Sequence, residues 1–533
     1  MDEASFSHEL LIGLTPEQRE AVMSSARRLL VRATAGSGKT HVLTLRIQRR
    51  VSDDEVSPDQ ILAMTFTRKA GDELRKRLFR AGIRDVRAGT FHRAALTIVT
   101  QYRQDHHLRP LTLEPNRRKL VGSLAVQLRE SGEVKLDDWQ LPRLEQEIGW
   151  ALSQGFNGAT YAKSARRLRR DAPLPPAQLA EVIDRYVGLT RSRGLLDFDL
   201  LLSEAIALLR EEPDVLASFR YRNRSLYVDE SQDMNPLQFM LLRQMAGDDP
   251  DLFCVGDPNQ SIYGFNGAAP SLMNDIVVTW PDTVVLDLTR NHRSTANIIA
   301  VANTLLEEGA RGIEPAKEEG EAPLIRAYDT DAHEAEHVAT WLAAKHQPGS
   351  PWHSLAVLAR TNAQLELVAS YLDAANIPYE RRGPEHSPAS DLAQETSSRR
   401  VEEPDRDAVA LSTIHRSKGL EFQHVAVIGW AEGQLPNYNA TSPEQLAEEQ
   451  RLAYVALSRA EQSLLLTWSR GRNDPRYPDR APSRFLAPIE AVVSEIEKRN
   501  APLVGDARKA RLNAIKASLA ESLAKLDETS RTR

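Results

Sequence analysis

Cysteine is nearly absent: Cys254 is the only one in 533 residues, which excludes an internal disulfide framework and any cysteine-ligated zinc site. It lies in Leu252-Phe253-Cys254-Val255, a run that reads as a buried strand, so the thiol is expected to be an inert core group. Apolar runs are short, and none approaches the roughly 20 residues that a membrane span requires. The acidic start Met1-Asp2-Glu3 lacks the apolar stretch of a secretion leader. The expectation is a cytoplasmic chain without a membrane partner. Positive charge is not in excess either, with 68 Lys and Arg against 74 Asp and Glu. That balance excludes a generic polyanion-coating protein but leaves local nucleic-acid surfaces open. Repeats and low-complexity segments are missing as well.

What is present is length, charge and alternation. A chain this long exceeds one ordinary core, so two to four packed units are expected. Short β-branched runs alternate with helical patterns in two blocks, the pattern of parallel α/β sheets. The first block holds strand candidates at 28–33, 61–66, 86–91, 225–229 and 252–256. The second holds 284–288, 324–328, 354–359, 409–413, 424–430 and 463–468. Between 97 and 195 the pattern turns helical and basic, with about 16 Lys and Arg against about 11 Asp and Glu. Residues 384–407 are polar and too poor in apolar side chains to bury a core, which predicts a linker. Beyond 490, Leu512, Ile515, Leu519, Leu523 and Leu526 recur at helical spacing.

Two segments carry chemistry. Leu29 to Thr40 reads as strand, glycine loop and helix start, ending in Ala35-Gly36-Ser37-Gly38-Lys39-Thr40. Glycines let backbone N–H groups approach phosphate oxygens, and a helix N-terminus adds partial positive charge. Lys39 suits the β- and γ-phosphates of ATP, and Thr40 suits Mg²⁺. The common pattern has glycine where this chain has Ala33. Further on, Ser225-Leu226-Tyr227-Val228-Asp229-Glu230 is a strand ending in paired carboxylates. Asp229 suits the Mg²⁺ environment and Glu230 the activation of a water.

With both segments in one chain, the sequence resembles the UvrD/Rep-type superfamily 1 DNA helicases. The shared motifs run in family order: Leu14-Thr-Pro-Glu-Gln18, the glycine loop, Met64-Thr-Phe66-Thr-Arg-Lys-Ala, Gly89-Thr-Phe-His92 and Leu195-Leu-Asp-Phe-Asp199. Then come the Asp229-Glu230 segment, Val255 to Phe265, Asn291-His292-Arg293-Ser294, Thr413 to Phe422 and Tyr454 to Ala460. The resemblance implies an α/β fold of two RecA-like P-loop NTPase cores with a helical accessory subdomain inserted in the first. It places the first core at 1–96 and 196–282, the accessory subdomain at 97–195, and the second core at 283–383 and 408–490. Residues 384–407 stand where the family inserts a second accessory subdomain, and 491–533 form a helical tail.

By resemblance, Arg293 and Arg459 reach the γ-phosphate from the second core and Gln260 relays between nucleotide and DNA. Gln18 resembles the adenine-reading glutamine, and Glu421 a residue of the sugar or cleft. Phe66, Tyr263 and Phe265 match positions where bases stack, while His92, Arg360 and Asn362 match backbone contacts. The resemblance implies an ATP- and Mg²⁺-dependent 3′→5′ translocase or helicase acting on single-stranded DNA and single/double-strand junctions. Its setting would be repair or related DNA metabolism, with a repair factor or nuclease as the expected kind of protein partner. The alternative is the motor subunit of a nuclease or phage-defence complex.

Three departures stand out. Histidines, His41 and His292, occupy the positions where the family sandwiches adenine between arginine and tyrosine, so nucleotide binding is expected to be weaker or more pH-sensitive. Asn266 replaces a common arginine. The polar stretch at 384–407 implies that the second accessory subdomain is missing, which makes unaided strand separation an open expectation.

Overall fold

The computed structural model describes residues 11–500 apart from 131, 133–135, 169, 308, 348, 382–406 and 472–478. The predicted amphipathic tail beyond 500 and nearly all of the 384–407 linker therefore lie outside the described residues.

Two six-stranded parallel sheets organise the chain. The first contains β1 (Arg28–Ala33), β2 (Ile61–Thr65), β3 (Arg87–Thr90), β4 (Ser225–Val228), β5 (Asp251–Gly256) and β6 (Val284–Leu288), in the order β3-β2-β4-β5-β1-β6. The second contains β7 (Leu324–Thr330), β8 (Leu355–Ala359), β9 (Tyr379–Arg381), β10 (Val409–Thr413), β11 (Phe422–Val427) and β12 (Ala460–Gly471), in the order β7-β12-β11-β8-β10-β9. Central strands such as β2, β4, β8 and β10 are buried along their whole length. Burial on both faces explains why they read as continuous apolar runs instead of alternating ones.

Two boundaries need correction, and one is simple: helix Leu486–Asn500 carries Val493 of the second core past the expected limit of 490. Residues 284–288, assigned above to the second core, pair in parallel with β1 through Leu29 and Val284 up to Ala33 and Leu288. The first sheet therefore continues to residue 288, beyond the expected limit of 282. A strand's period reports that it is a strand, not which sheet it joins. The pairing partner here lies about 250 residues away in sequence, beyond what local pattern can encode.

One face of the first sheet packs on helices Pro16–Met23, Lys39–Ser52 and Arg68–Arg80 through Val22, Leu43, Ile47 and Leu74. The other face shares a single apolar cluster with helices of the 97–195 segment: Leu30 and Met64 join Leu124, Ile148, Tyr161 and Tyr186. The basic insertion is thus fused to the first sheet and not tethered beside it. Helix Leu486–Asn500 packs Ile489 and Val493 into the core of the second sheet.

Because all strands of a sheet run the same way, their C-terminal ends share one edge. The segments after β1, β2, β4 and β5 therefore converge there, in the crevice where open α/β sheets place their ligands.

Candidate nucleotide site and DNA-facing surface

After β1 the chain turns tightly through Thr34 to Gly38 and enters the helix at Lys39. Gly36 and Gly38 have φ of 68° and 83°, in the left-handed region that favours glycine. A Cβ on Gly36 would collide with the Asn291 amide and lie 2.9 Å from Arg293 Cβ. The loop is held from several sides. Ser37 Oγ donates to Thr34 O at 2.8 Å, and Gln18 Nε2 donates to Ser37 O at 2.9 Å. Asn291 Nδ2 donates to Ala35 O at 2.7 Å, and the His292 amide donates to Gly36 O at 3.0 Å. The Ala35 amide reaches Tyr454 Oη, on the second core, at 3.3 Å.

Thr40 and the paired carboxylates meet next to Lys39. Thr40 Oγ1 donates to Asp229 Oδ2 at 3.1 Å. Burial, with Glu230 beside it, raises the Asp229 carboxyl to about 6 against the pull of Lys39. Glu230 behaves oppositely. Burial would raise it, but the Lys39 and Lys418 charges outweigh that and hold it ionised, down to about 2. Its backbone sits at φ 52°, ψ 41°, a sparsely populated conformation for a non-glycine residue. Gln232 Nε2 donates to its carboxylate at 2.5 Å.

These residues fit a magnesium nucleotide. The glycine cradle admits no Cβ, and Asp229 is a buried carboxylate crowded by a second one, a setting that a cation relieves. Magnesium at a nucleotide takes only one or two carboxylates, with phosphate and water supplying the rest. No cluster of three or more His, Cys, Asp or Glu side chains suited to a metal occurs among the described residues.

The second core closes the site. Arg459 is 1% exposed. It donates to Val455 O, Leu420 O, Ser458 Oγ and, at 3.4 Å, Gln260 Oε1, all neutral oxygens. Burial and the adjacent Arg293 charge lower its guanidinium to about 9. Arg293 pairs with Glu421 at 2.7 Å. Gln260 Nε2 donates to Asp257 Oδ2 at 2.7 Å, and Tyr454 Oη lies 3.4 Å from the same oxygen.

Beside this cluster runs a column of rings. Phe66 stacks on Tyr263 with centroids 5.0 Å apart, Tyr263 meets Phe265 edge-on at 6.1 Å, and Phe265 meets His415 of the second core at 5.7 Å. Phe66, His92, Phe265, Trp150 and Phe198 line a groove of about 750 Å³ between the first sheet and the basic insertion. His92 packs against Phe198, and burial lowers its imidazole to about 4.

The other expected site residues differ in how freely their side chains face solvent. Arg360 is held by Glu449 through contacts of 2.8 to 3.2 Å, which commits its guanidinium to an ion pair with a carboxylate 5% exposed. Asn362 is exposed at the first position of helix Asn362–Ala374. Gln18 spends one N–H on Ser37 O and its carbonyl on the Thr15 amide, so it positions the loop directly. His41 and His292 are exposed, and partial burial with Arg77 and Arg290 nearby lowers both imidazoles. Sequence reasoning did not single out Asn291, Tyr454, Asp257 or the Lys418–Asp233 pair. Four of the five lie inside the quoted motifs and Asp233 stands three residues past Glu230, so the signal was present while the pairing was not.

This geometry defines a phosphate-loop nucleoside triphosphatase closed between two parallel-sheet cores. The UvrD/REP helicase N-terminal domain matches residues 14–278, and the UvrD-like helicase C-terminal domain matches 286–385 and 390–471. The ATP-dependent DNA helicase UvrD2 of Mycobacterium tuberculosis is 31% identical over 608 aligned positions, spanning 95% of this chain and 85% of the relative. A probable DNA helicase of Mycoplasma pneumoniae is 29% identical, spanning 90% and 87%. The chain belongs to the UvrD/Rep family of ATP-dependent DNA helicases. Its alignment with UvrD2 is longer than its own 533 residues, so that relative carries inserted segments that are absent here. No helix among the described residues is long and apolar enough to cross a membrane.

Proposed function

We propose that this helicase moves 3′→5′ along single-stranded DNA and opens single/double-strand junctions in DNA repair, with its catalytic site completed across the two cores. One observation carries the coupling. Lys418 of the second core contacts Asp233 and Gln260 O of the first, while its ammonium lies 5.1 Å from the centre of the Tyr263 ring. Residues of the nucleotide cleft and of the ring column thus share one cation.

In this reading the loop amides and Lys39 bind the ATP phosphates, while Thr40 and Asp229 would hold Mg²⁺. The ion would neutralise charge on the β- and γ-phosphates. Glu230, ionised in place, accepts the proton of the water that attacks the γ-phosphorus as the bond to the ADP oxygen breaks. Arg459 and Arg293 supply charge to the transferred γ-phosphoryl group, and Gln260, touching Arg459, senses whether that group is present. His41 and His292 flank the base, with the second N–H of Gln18 left to read it. Phe66, Tyr263 and Phe265 stack bases without regard to sequence. His92 and Asn362 line the track, and Arg360 shapes it through Glu449. Polarity and the repair setting rest on family resemblance. The motor-subunit reading gains no support from the relatives, which are named as DNA helicases.

Stopped-flow translocation on oligo-dT of increasing length tests this. With a fluorophore at the 5′ end the arrival time grows with length, and with one at the 3′ end it does not. Growth at the 3′ end, or at neither, contradicts the proposal.

A further inference from the structure

A second cavity, of about 510 Å³, lies on the far side of helix Phe91–Asp105 from the DNA-facing groove. The helix gives His92 to the groove and Arg93, Thr97 and Gln101 to the cavity. Nothing in the nucleotide or DNA reading uses this space. Its volume is that of a ligand pocket.

Three features define what would fit. The first is an edge. β3 is the last strand of the first sheet, and all four of its residues, Arg87 to Thr90, line the cavity. A terminal strand has one row of backbone groups without a strand neighbour, which is a template for an added extended segment. The second is an apolar floor, built by Ile98 and Phe219, 5% and 8% exposed. The third is charge. Four arginines line the cavity against two aspartates. Arg87 donates to the backbone carbonyls of Asp59 and Arg222, and Arg222 donates to Ser218 O and Oγ. Both guanidiniums are therefore held by neutral oxygens on an exposed rim. Partial burial and the charge of Arg222 lower Arg87, and the nearby Asp59 carboxylate offsets this only in part.

We propose that this cavity docks an extended acidic segment of a partner protein. The segment would pair with the β3 edge, set carboxylates on Arg87 and Arg222, and bury one large apolar side chain against Ile98 and Phe219. The apolar floor and the interspersed Asp105 and Asp214 disfavour a nucleic-acid backbone, which needs a row of accessible cations and no buried anchor. A peptide satisfies all three features together.

The test is selection of a phage-displayed random peptide library, of about ten residues, on the full chain, followed by fluorescence anisotropy with an enriched peptide. Enriched sequences are expected to be acidic with one aromatic or branched apolar residue. Arg87→Glu combined with Arg222→Glu is expected to weaken binding roughly tenfold or more, a loss that corresponds to one strong charged contact. Both arginines brace backbone, so Thr97→Trp is the second variant. Thr97 is exposed and lines the cavity, and an indole there blocks it without touching the core. DNA-stimulated ATP hydrolysis is expected to be unchanged in Thr97→Trp. Three outcomes overturn the proposal: no acidic enrichment, peptide binding that survives Thr97→Trp, or loss of oligo-dT binding in that variant, which would make the cavity a nucleic-acid contact.

Discussion

Lys418, on the second core, places its ammonium 2.5 and 2.7 Å from the two carboxylate oxygens of Asp233, on the first. Both side chains are buried, at 7% and 1% exposure. A pair like this gains specificity more than stability, and burial raises the Asp233 carboxyl to about 7 even against the pull of Lys418, so without the ammonium it takes up a proton and the cross-core contact is lost. Lys418→Ala is therefore expected to weaken the closed arrangement of the cores and to lower DNA-stimulated ATP hydrolysis. Lys418→Met with Asp233→Leu should recover thermal stability but not stimulation. If the double variant regains full stimulation, the pair is structural only.

Glu230 is held ionised beside Lys39, so its carboxylate is free to accept a proton from water. Glu230→Gln keeps the shape and removes the proton acceptor. Turnover is expected to fall by about 10²–10⁴, with nucleotide affinity, read by a fluorescent ATP analogue, changed little. Unchanged turnover would remove Glu230 from the role of base.

Gly36 combines positive φ with a neighbour that leaves no room for a Cβ. Gly36→Ala must either displace Asn291 or distort the loop, so the KM for ATP is expected to rise roughly tenfold or more, which is about 1.4 kcal/mol. A KM within twofold of the parent would show that the Asn291 contact does not hold the loop.

The ring column predicts graded DNA binding. Tyr263→Ala removes a ring that stacks on Phe66, and base–aromatic stacking is worth about 1–3 kcal/mol per base. The Kd for oligo-dT should rise by roughly 5- to 150-fold at fixed salt, with basal ATP hydrolysis retained. Equal affinity would place the DNA track elsewhere.

His92 sets a pH dependence. Burial lowers its pKa to about 4, so between that value and the unfolded value of about 6.5 the unfolded chain binds more protons. Stability then rises with pH through this window and is fully present above it. Relative to His92→Gln, the parent should lose about 2 kcal/mol more between pH 7 and pH 5, measured as urea midpoints. Parallel curves for the two proteins would contradict the buried neutral imidazole.

Much of this was legible in the sequence, for physical reasons that differ by residue. The glycine loop and the Asp229–Glu230 strand end were readable because phosphate and magnesium chemistry restricts both residue type and spacing. Cys254 reads correctly as a buried, inert thiol, and burial raises its pKa well above the ordinary thiol value. Partnerships were not readable. Lys418 and Asp233 stand 185 residues apart, and Arg360 finds Glu449 89 residues on, so neither pairing leaves a local signature. The assignment of 284–288 failed for the same reason. Partial burial lowers His41 and His292, which moves any protonation effect on nucleotide binding toward more acid solution.

The most direct test of the central claim compares Arg459→Ala with the parent in single-turnover ATP hydrolysis at saturating nucleotide, with and without oligo-dT. Arg459 lies on the second core and the loop on the first, so a site completed across the cores requires this arginine for the chemical step. The account predicts that the DNA-stimulated rate falls by about 10³–10⁵ while nucleotide still binds. A rate within a few-fold of the parent would contradict it and leave the first core catalytically sufficient.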